Sequence, residues 1–92
     1  MKTEVLMFKA DGWCTSCHKL APTFREIANE LQSDNFVFKE VEVEDDEGVD
    51  LSTKYQVRNV PTILIIKKDR VVERITGTRT KNELKGLIEK WK

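Results

Sequence analysis

Trp13-Cys14-Thr15-Ser16-Cys17-His18 holds both cysteines of this 92-residue chain, its one histidine and one of its two tryptophans. Upstream, Val5-Leu6-Met7-Phe8 is a short apolar run bounded by charge, long enough for a buried strand and too short for a helix of its own. Downstream, Leu20, Phe24, Ile27, Ala28 and Leu31 recur at the three-and-four spacing of one helix face. The cysteines therefore stand where a strand ends and a helix begins. The first N–H groups of a helix have no partner within it, and the helix dipole is positive at that end, so an anion is stabilised there. A thiolate is such an anion.

Working outward, the length describes one domain, residues 1–92, able to bury roughly 60–65% of its unfolded surface. Hydrophobic residues at 39% and charged residues at 35% describe a globular chain rather than a disordered or membrane one. Met1-Lys2-Thr3-Glu4 leads into too few apolar residues for a signal-peptide core or a membrane span, so the expected compartment is the cytoplasm. In a reducing compartment, two cysteines at this spacing serve catalysis or metal binding more often than a structural staple. Formal net charge is zero, yet residues 1–50 carry five basic and twelve acidic side chains and residues 51–92 carry eleven and four. If the two halves interleave in one sheet, these fields largely cancel. No basic cluster is interleaved with aromatics, so no nucleic-acid partner is expected, and no membrane partner either.

Past a strand near residues 3–9, a helix is expected from about Cys14 to Gln32, with Pro22 kinking it. Phe36 to Val43 alternates as a second strand, with Val37, Val41 and Val43 on one side and Phe38, Glu40 and Glu42 on the other. Glu44-Asp45-Asp46-Glu47-Gly48 reads as a solvated loop without the spaced ligands of a calcium site. Asp50 then caps a short helix through about Tyr55, which Arg58-Asn59-Val60-Pro61 breaks. Thr62-Ile63-Leu64-Ile65-Ile66 is a central strand covered on both faces. Val71 to Ile75 returns beside it as an edge strand after a tight turn at Lys67 to Arg70. Thr80-Lys81-Asn82-Glu83 has capping-box spacing, and Leu84, Leu87, Ile88 and Trp91 face the core from a last helix. The fold class is α/β, in the order βαβαββα, with a mixed four-stranded sheet covered by helices on both faces.

Two thiols on the first turn of a helix can close a small disulfide ring and can also take turns. Cys14, nearer solvent and the helix end, suits the attacking thiolate. Cys17, one turn inward, is placed to resolve a mixed disulfide.

Trp13-Cys14-x-x-Cys17, Pro22 in the following helix, Val60-Pro61-Thr62 before an apolar strand and Gly77 after the last strand together resemble the thioredoxin family, over almost the whole chain and in order. The resemblance implies a thiol–disulfide oxidoreductase that reduces protein disulfides. It implies a cis Pro61 facing the cysteines, and a substrate groove formed by Trp13, Val60, Pro61 and Gly77, in which the backbone of Val60 pairs with the substrate. Core packing for Trp13 and a plain turn for Gly77 are the alternatives. The resemblance also implies disulfide-containing protein substrates, an upstream donor that is thioredoxin-reductase-like or glutathione, a monomer, and no cofactor beyond the Cys14–Cys17 disulfide. Arg58 and Arg79 are expected to flank the groove, where they favour acidic partners or are merely solvated.

The sequence departs from the family's pattern in several places. The chain begins directly at the strand leading to the cysteines, a compact layout shared with glutaredoxins. Thr15-Ser16 replaces the family's Gly-Pro, and Thr76-Gly77-Thr78-Arg79 lacks the paired glycines of glutaredoxins, which disfavours a glutathione-linked reductase. The buried aspartate that thioredoxins place on the first strand is missing from Val5 to Phe8. Glu40 then becomes a candidate proton acceptor for Cys17, with a pKa raised by desolvation; His18 and water are the competitors. Cys14-Thr15-Ser16-Cys17-His18 also fits c-type haem attachment, but the methionines are Met1 and Met7, and Met7 lies in a strand. Structural zinc would need four ligands where this stretch has three, so no metal is expected. A binding module on the same fold, without redox turnover, is the alternative of a different class.

Overall fold

A computed structural model describes residues 2–92. The apolar run near the amino terminus becomes β1 (Thr3–Lys9), and the amphipathic stretch after the cysteines becomes α1 (Thr15–Leu31), which passes through Pro22 as one element. β2 (Phe36–Glu42), α2 (Asp46–Lys54), β3 (Thr62–Lys67), β4 (Arg70–Thr76) and α3 (Lys81–Glu89) follow. The sheet order is β2-β1-β3-β4, with β1 parallel to β2 and antiparallel to β3, and β4 antiparallel to β3. Lys68 and Asp69 both take positive φ, at 51° and 65°, the signature of a tight hairpin turn whose twist matches the strands it joins.

Strand alternation divides the core in two. Val5, Met7, Ile63, Ile65 and Ile75 pack with Leu20, Phe24 and Ile27 of α1 and with Leu84 and Ile88 of α3. On the opposite face Leu6, Phe8, Val41, Leu64 and Ile66 pack with Leu51 of α2 and Tyr55 at its carboxyl end. Helices therefore cover both faces, as the pattern predicts. At roughly 1.5–3 kcal/mol for each fully buried large apolar side chain, both clusters are needed to hold a chain of this length. The capping box on α3 is present: Glu83 N–H donates to Thr80 Oγ1 at 3.2 Å, and Thr80 N–H donates to Glu83 Oε1 at 3.3 Å.

The second helix begins earlier than expected. Asp45, not Asp50, is its cap: its Oδ1 accepts from Gly48 N–H at 2.7 Å, and Asp46 and Glu47 sit in the first turn, where carboxylates favour the dipole. Gly48 lies in this helix, and only glycine fits there, because a Cβ would lie 1.7 Å from Glu42 O. The charge halves also fail to interleave. Within the sheet, both strands of the acidic half, β1 and β2, lie on one side and both strands of the basic half, β3 and β4, on the other, so these strands meet only along the β1–β3 seam, while α1 and α3 join the halves by ion pairs.

Candidate active site

Phe8 pairs with Thr62, and Thr62 pairs with Thr76. The carboxyl end of β1, the start of β3 and the end of β4 thus share one end of the sheet. This brings the cysteine loop, Pro61 and Gly77 together. The loop is held mostly by backbone and carboxylates. Cys14 N–H donates to Ala10 O at 2.9 Å, Asp11 N–H to Glu42 Oε1 at 2.8 Å, and Trp13 Nε1–H to Glu44 Oε2 at 3.2 Å.

Cys14 is the N-cap of α1, in extended conformation, and its Sγ accepts from Cys17 N–H at 3.1 Å. A serine or aspartate usually fills this position; here sulfur takes the orphan donor. No acidic residue lies in the first turn to oppose a negative charge. The two cysteines are joined as a disulfide with Cα atoms 5.2 Å apart. Cys14 is 6% exposed and Cys17 1%, so Cys14 is the outer sulfur without being openly solvated.

Across the seam, the Val60–Pro61 bond is cis. Thr62 Oγ1 donates to Asn59 O at 2.7 Å, and Gly77 N–H donates to Pro61 O at 3.0 Å. Gly77 has φ +77°, so its turn favours glycine. Between these tethers, Val60 N–H and C=O make no hydrogen bond among the described residues. The Val60 side chain packs against the cluster that contains both cysteines. Trp13, at 65% exposure, is not core; with Val60, Val43, Val49, Val57, Arg58 and others it lines an open groove of about 430 Å³.

The expected rise in the pKa of Glu40 is corrected. Glu40 does lie on the α1 face, but its carboxylate receives Arg25 Nε and Nη2, both at 2.8 Å, and lies 3.2 Å from Lys9 Nζ. Arg25 first, and then Lys9, hold its carboxyl below the ordinary carboxylate range despite partial burial. Its proton affinity is lowered where a base needs it raised. His18 is exposed, and its Nε2 lies 2.8 Å from Asp11 O. A carbonyl only accepts, so Nε2 carries the hydrogen and is not the basic nitrogen. Among the described residues the buried set holds no charged side chain, and its polar members are Thr3 and Thr62.

Residues that sequence reading passed over build the loop's support. Glu42 Oε1 takes Asp11 N–H and its Oε2 takes Glu44 N–H at 3.1 Å, pinning the cysteine loop to the turn after β2. Glu42 and Glu44 looked like strand alternation and a solvated loop. Only the pairing of β2 beside β1, with Lys9 opposite Glu42, shows what they hold.

A disulfide at the start of a helix, with a cis-proline loop at the same end of a mixed sheet, defines the class of thiol–disulfide oxidoreductases. Comparison with known proteins agrees. A sequence model of the thioredoxin family matches residues 1–90. Thioredoxin from Mycoplasmoides gallisepticum is 32% identical over 88 residues, covering 96% of this chain and 83% of that protein. Thioredoxin from Bacillus subtilis is 33% identical over 78 residues, covering 85% and 72%. Among solved structures, a mutant thioredoxin from Halobacterium salinarum superposes with a TM-score of 0.82 at 30% identity, covering 98% of this chain and 74% of that one. The chain belongs to the thioredoxin family, and the Cys14–Cys17 pair makes it a thiol–disulfide oxidoreductase.

Proposed function

We propose that the protein reduces disulfides of other proteins with Cys14 as nucleophile and Cys17 as resolving thiol. The hydrogen bond from Cys17 N–H to Cys14 Sγ carries this reading. In the reduced protein that donor, together with the helix end, favours thiolate over thiol at Cys14. The Cys14 thiolate attacks one sulfur of the substrate; the bond from Cys14 to that sulfur forms as the substrate's own S–S bond breaks, and the departing thiolate is protonated. Cys17 then gives its proton to water and attacks the Cys14 sulfur. The Cys14–Cys17 bond forms and the second substrate thiolate leaves. Two electrons have passed to the substrate, and the protein is left as the disulfide.

The substrate's extended chain lies against Val60, whose unpaired N–H and C=O are placed to bond it. Trp13 walls the groove, and Gly77, just after β4, tethers the Pro61 loop through its N–H. No cofactor takes part beyond the cysteine pair. Electrons return from a thioredoxin-reductase-like donor, with glutathione as the other candidate source, and the protein works as a monomer in the cytoplasm. Among the described residues no helix is long and apolar enough to cross a membrane.

The test is trapping. Cys17→Ser should accumulate a mixed disulfide with a protein substrate such as insulin, while Cys14→Ser is inert and the parent protein turns over. Faster labelling of Cys17 than of Cys14 by iodoacetamide at neutral pH would reverse the roles.

A further inference from the structure

We propose that the groove selects by charge as well as by apolar fit: it takes a disulfide-bearing segment with a carboxylate on one flank of its cysteine, held by Arg58. The inference rests on the protein-disulfide reductase reading and adds the substrate's chemistry to it.

Four of the eleven cations in the basic half are neutralised by carboxylates. Lys81 and Lys85 meet Glu26 and Glu30 on α1, Lys54 meets Asp69, and Lys90 meets Glu73. The arginines near Pro61 and Gly77 are not. Arg58 forms no ion pair among the described residues and lines the main groove and two smaller clefts beside it, of about 270 and 300 Å³. Arg74, in the last of these clefts, spends its guanidinium on Tyr55 O at 2.7 Å and Gln56 O at 3.4 Å. Arg79 turns onto Thr76 O and Thr78 O. Carbonyls orient these groups and leave their charge uncancelled. The far wall has the opposite sign: Trp13 is bonded to Glu44, with Asp45 and Asp46 following.

The groove draws its lining from both halves, Trp13, Val43 and Val49 from the acidic one and Ser52 to Val60 from the basic one. Its floor is apolar, from Val43, Val49, Val57 and Val60, and Ser52 Oγ beside them is a buried polar atom without a partner. A segment lying across this floor therefore meets positive charge on its Arg58 flank and negative charge on its Trp13 flank. A carboxylate on the first flank is attracted and one on the second is repelled.

The experiment uses fluorogenic disulfide peptides that share an apolar residue beside the cysteine and differ only in Asp, Asn or Lys on one flank, each flank tried in turn. With the charge on one flank, Asp should exceed Asn in kcat/KM by roughly three- to tenfold at low ionic strength, the range of one or two partly screened ion pairs. On the other flank Asp should fall below Asn. Both effects should shrink to under about twofold near 0.5 M salt. Arg58→Glu should reverse the first preference toward Lys, and Arg70→Glu, at the far end of the β3–β4 hairpin, should leave it unchanged. Equal rates on both flanks, or a preference that survives Arg58→Glu, would overturn the proposal. If the Asn peptide itself is not reduced, the fault lies in the oxidoreductase reading beneath it, and the proposal falls with that reading.

Discussion

The two faces of the sheet are finished differently. The face under α1 and α3 carries the larger cluster, and its rim is tied by charge: Lys81 lies 2.7 Å from Glu30 and 3.1 Å from Glu26, and Lys85 lies 2.8 Å from Glu30. The face under α2 carries the smaller cluster, leaves Val49 half exposed beside Trp13, and keeps an arginine without a carboxylate at its edge. One face spends its side chains on one another. The other leaves apolar surface, backbone and charge for a partner, and the cysteines themselves belong to the larger cluster.

The largest test of this contrast is truncation. Ile88→Ala, at a fully buried position on the α1–α3 face, should cost about 2–5 kcal/mol in chemical denaturation. Val49→Ala and Trp13→Ala should stay within about 0.5 kcal/mol, since both side chains are exposed, while Trp13→Ala weakens substrate binding. Comparable losses at Val49 and Ile88 would erase the distinction.

Caps give the next largest effect. Thr80→Ala and Asp45→Ala each remove a side-chain acceptor at a helix start, worth about 1 kcal/mol. The two should differ in reach. Loss of Thr80 should lower global stability, because α3 is part of the main core, whereas loss of Asp45 should speed amide exchange chiefly within α2. Uniform loss of protection in both variants would mean that the faces unfold as one.

Acid gives the smallest. Lys81 and then Lys85 lower Glu30 to about 2, and Arg25 lowers Glu40. A carboxylate whose pKa is depressed in the folded state stabilises above its ordinary value of 4.5 and loses that contribution as the pH falls through the folded value. Stability should therefore decline below about pH 4.5, with the Glu30 part gone near pH 2. Glu30 is exposed, so the effect is modest and salt should weaken it. Glu30→Gln should flatten the acid limb; an unchanged limb would show that the α1–α3 ion pairs contribute nothing.

Much of this was legible in the chain because its causes are local. Strand and helix periods, the capping box at Thr80 and Glu83, the tight hairpin and the placement of Cys14 at a helix start all follow from neighbours within a turn or a pleat. The early start of α2 was not legible. Glu44 to Gly48 has the composition of a solvated loop, and the need for glycine at position 48 comes from the approach of Glu42 O, a contact set by how α2 docks.

The site divides along the same line. By itself the sequence determined the family, the cysteine pair and the strand–helix frame around it, since these rest on residue type and short spacing. Tertiary structure alone decided that Glu40 is held ionised by Arg25 and Lys9, and that Glu42 and Glu44 grip the cysteine loop. It also decided that the strands of the acidic and basic halves lie side by side in the sheet instead of interleaving. The reason is distance along the chain. Alternation tells which face a side chain takes, but which charge stands opposite it depends on strand order and helix docking, and no local pattern encodes those.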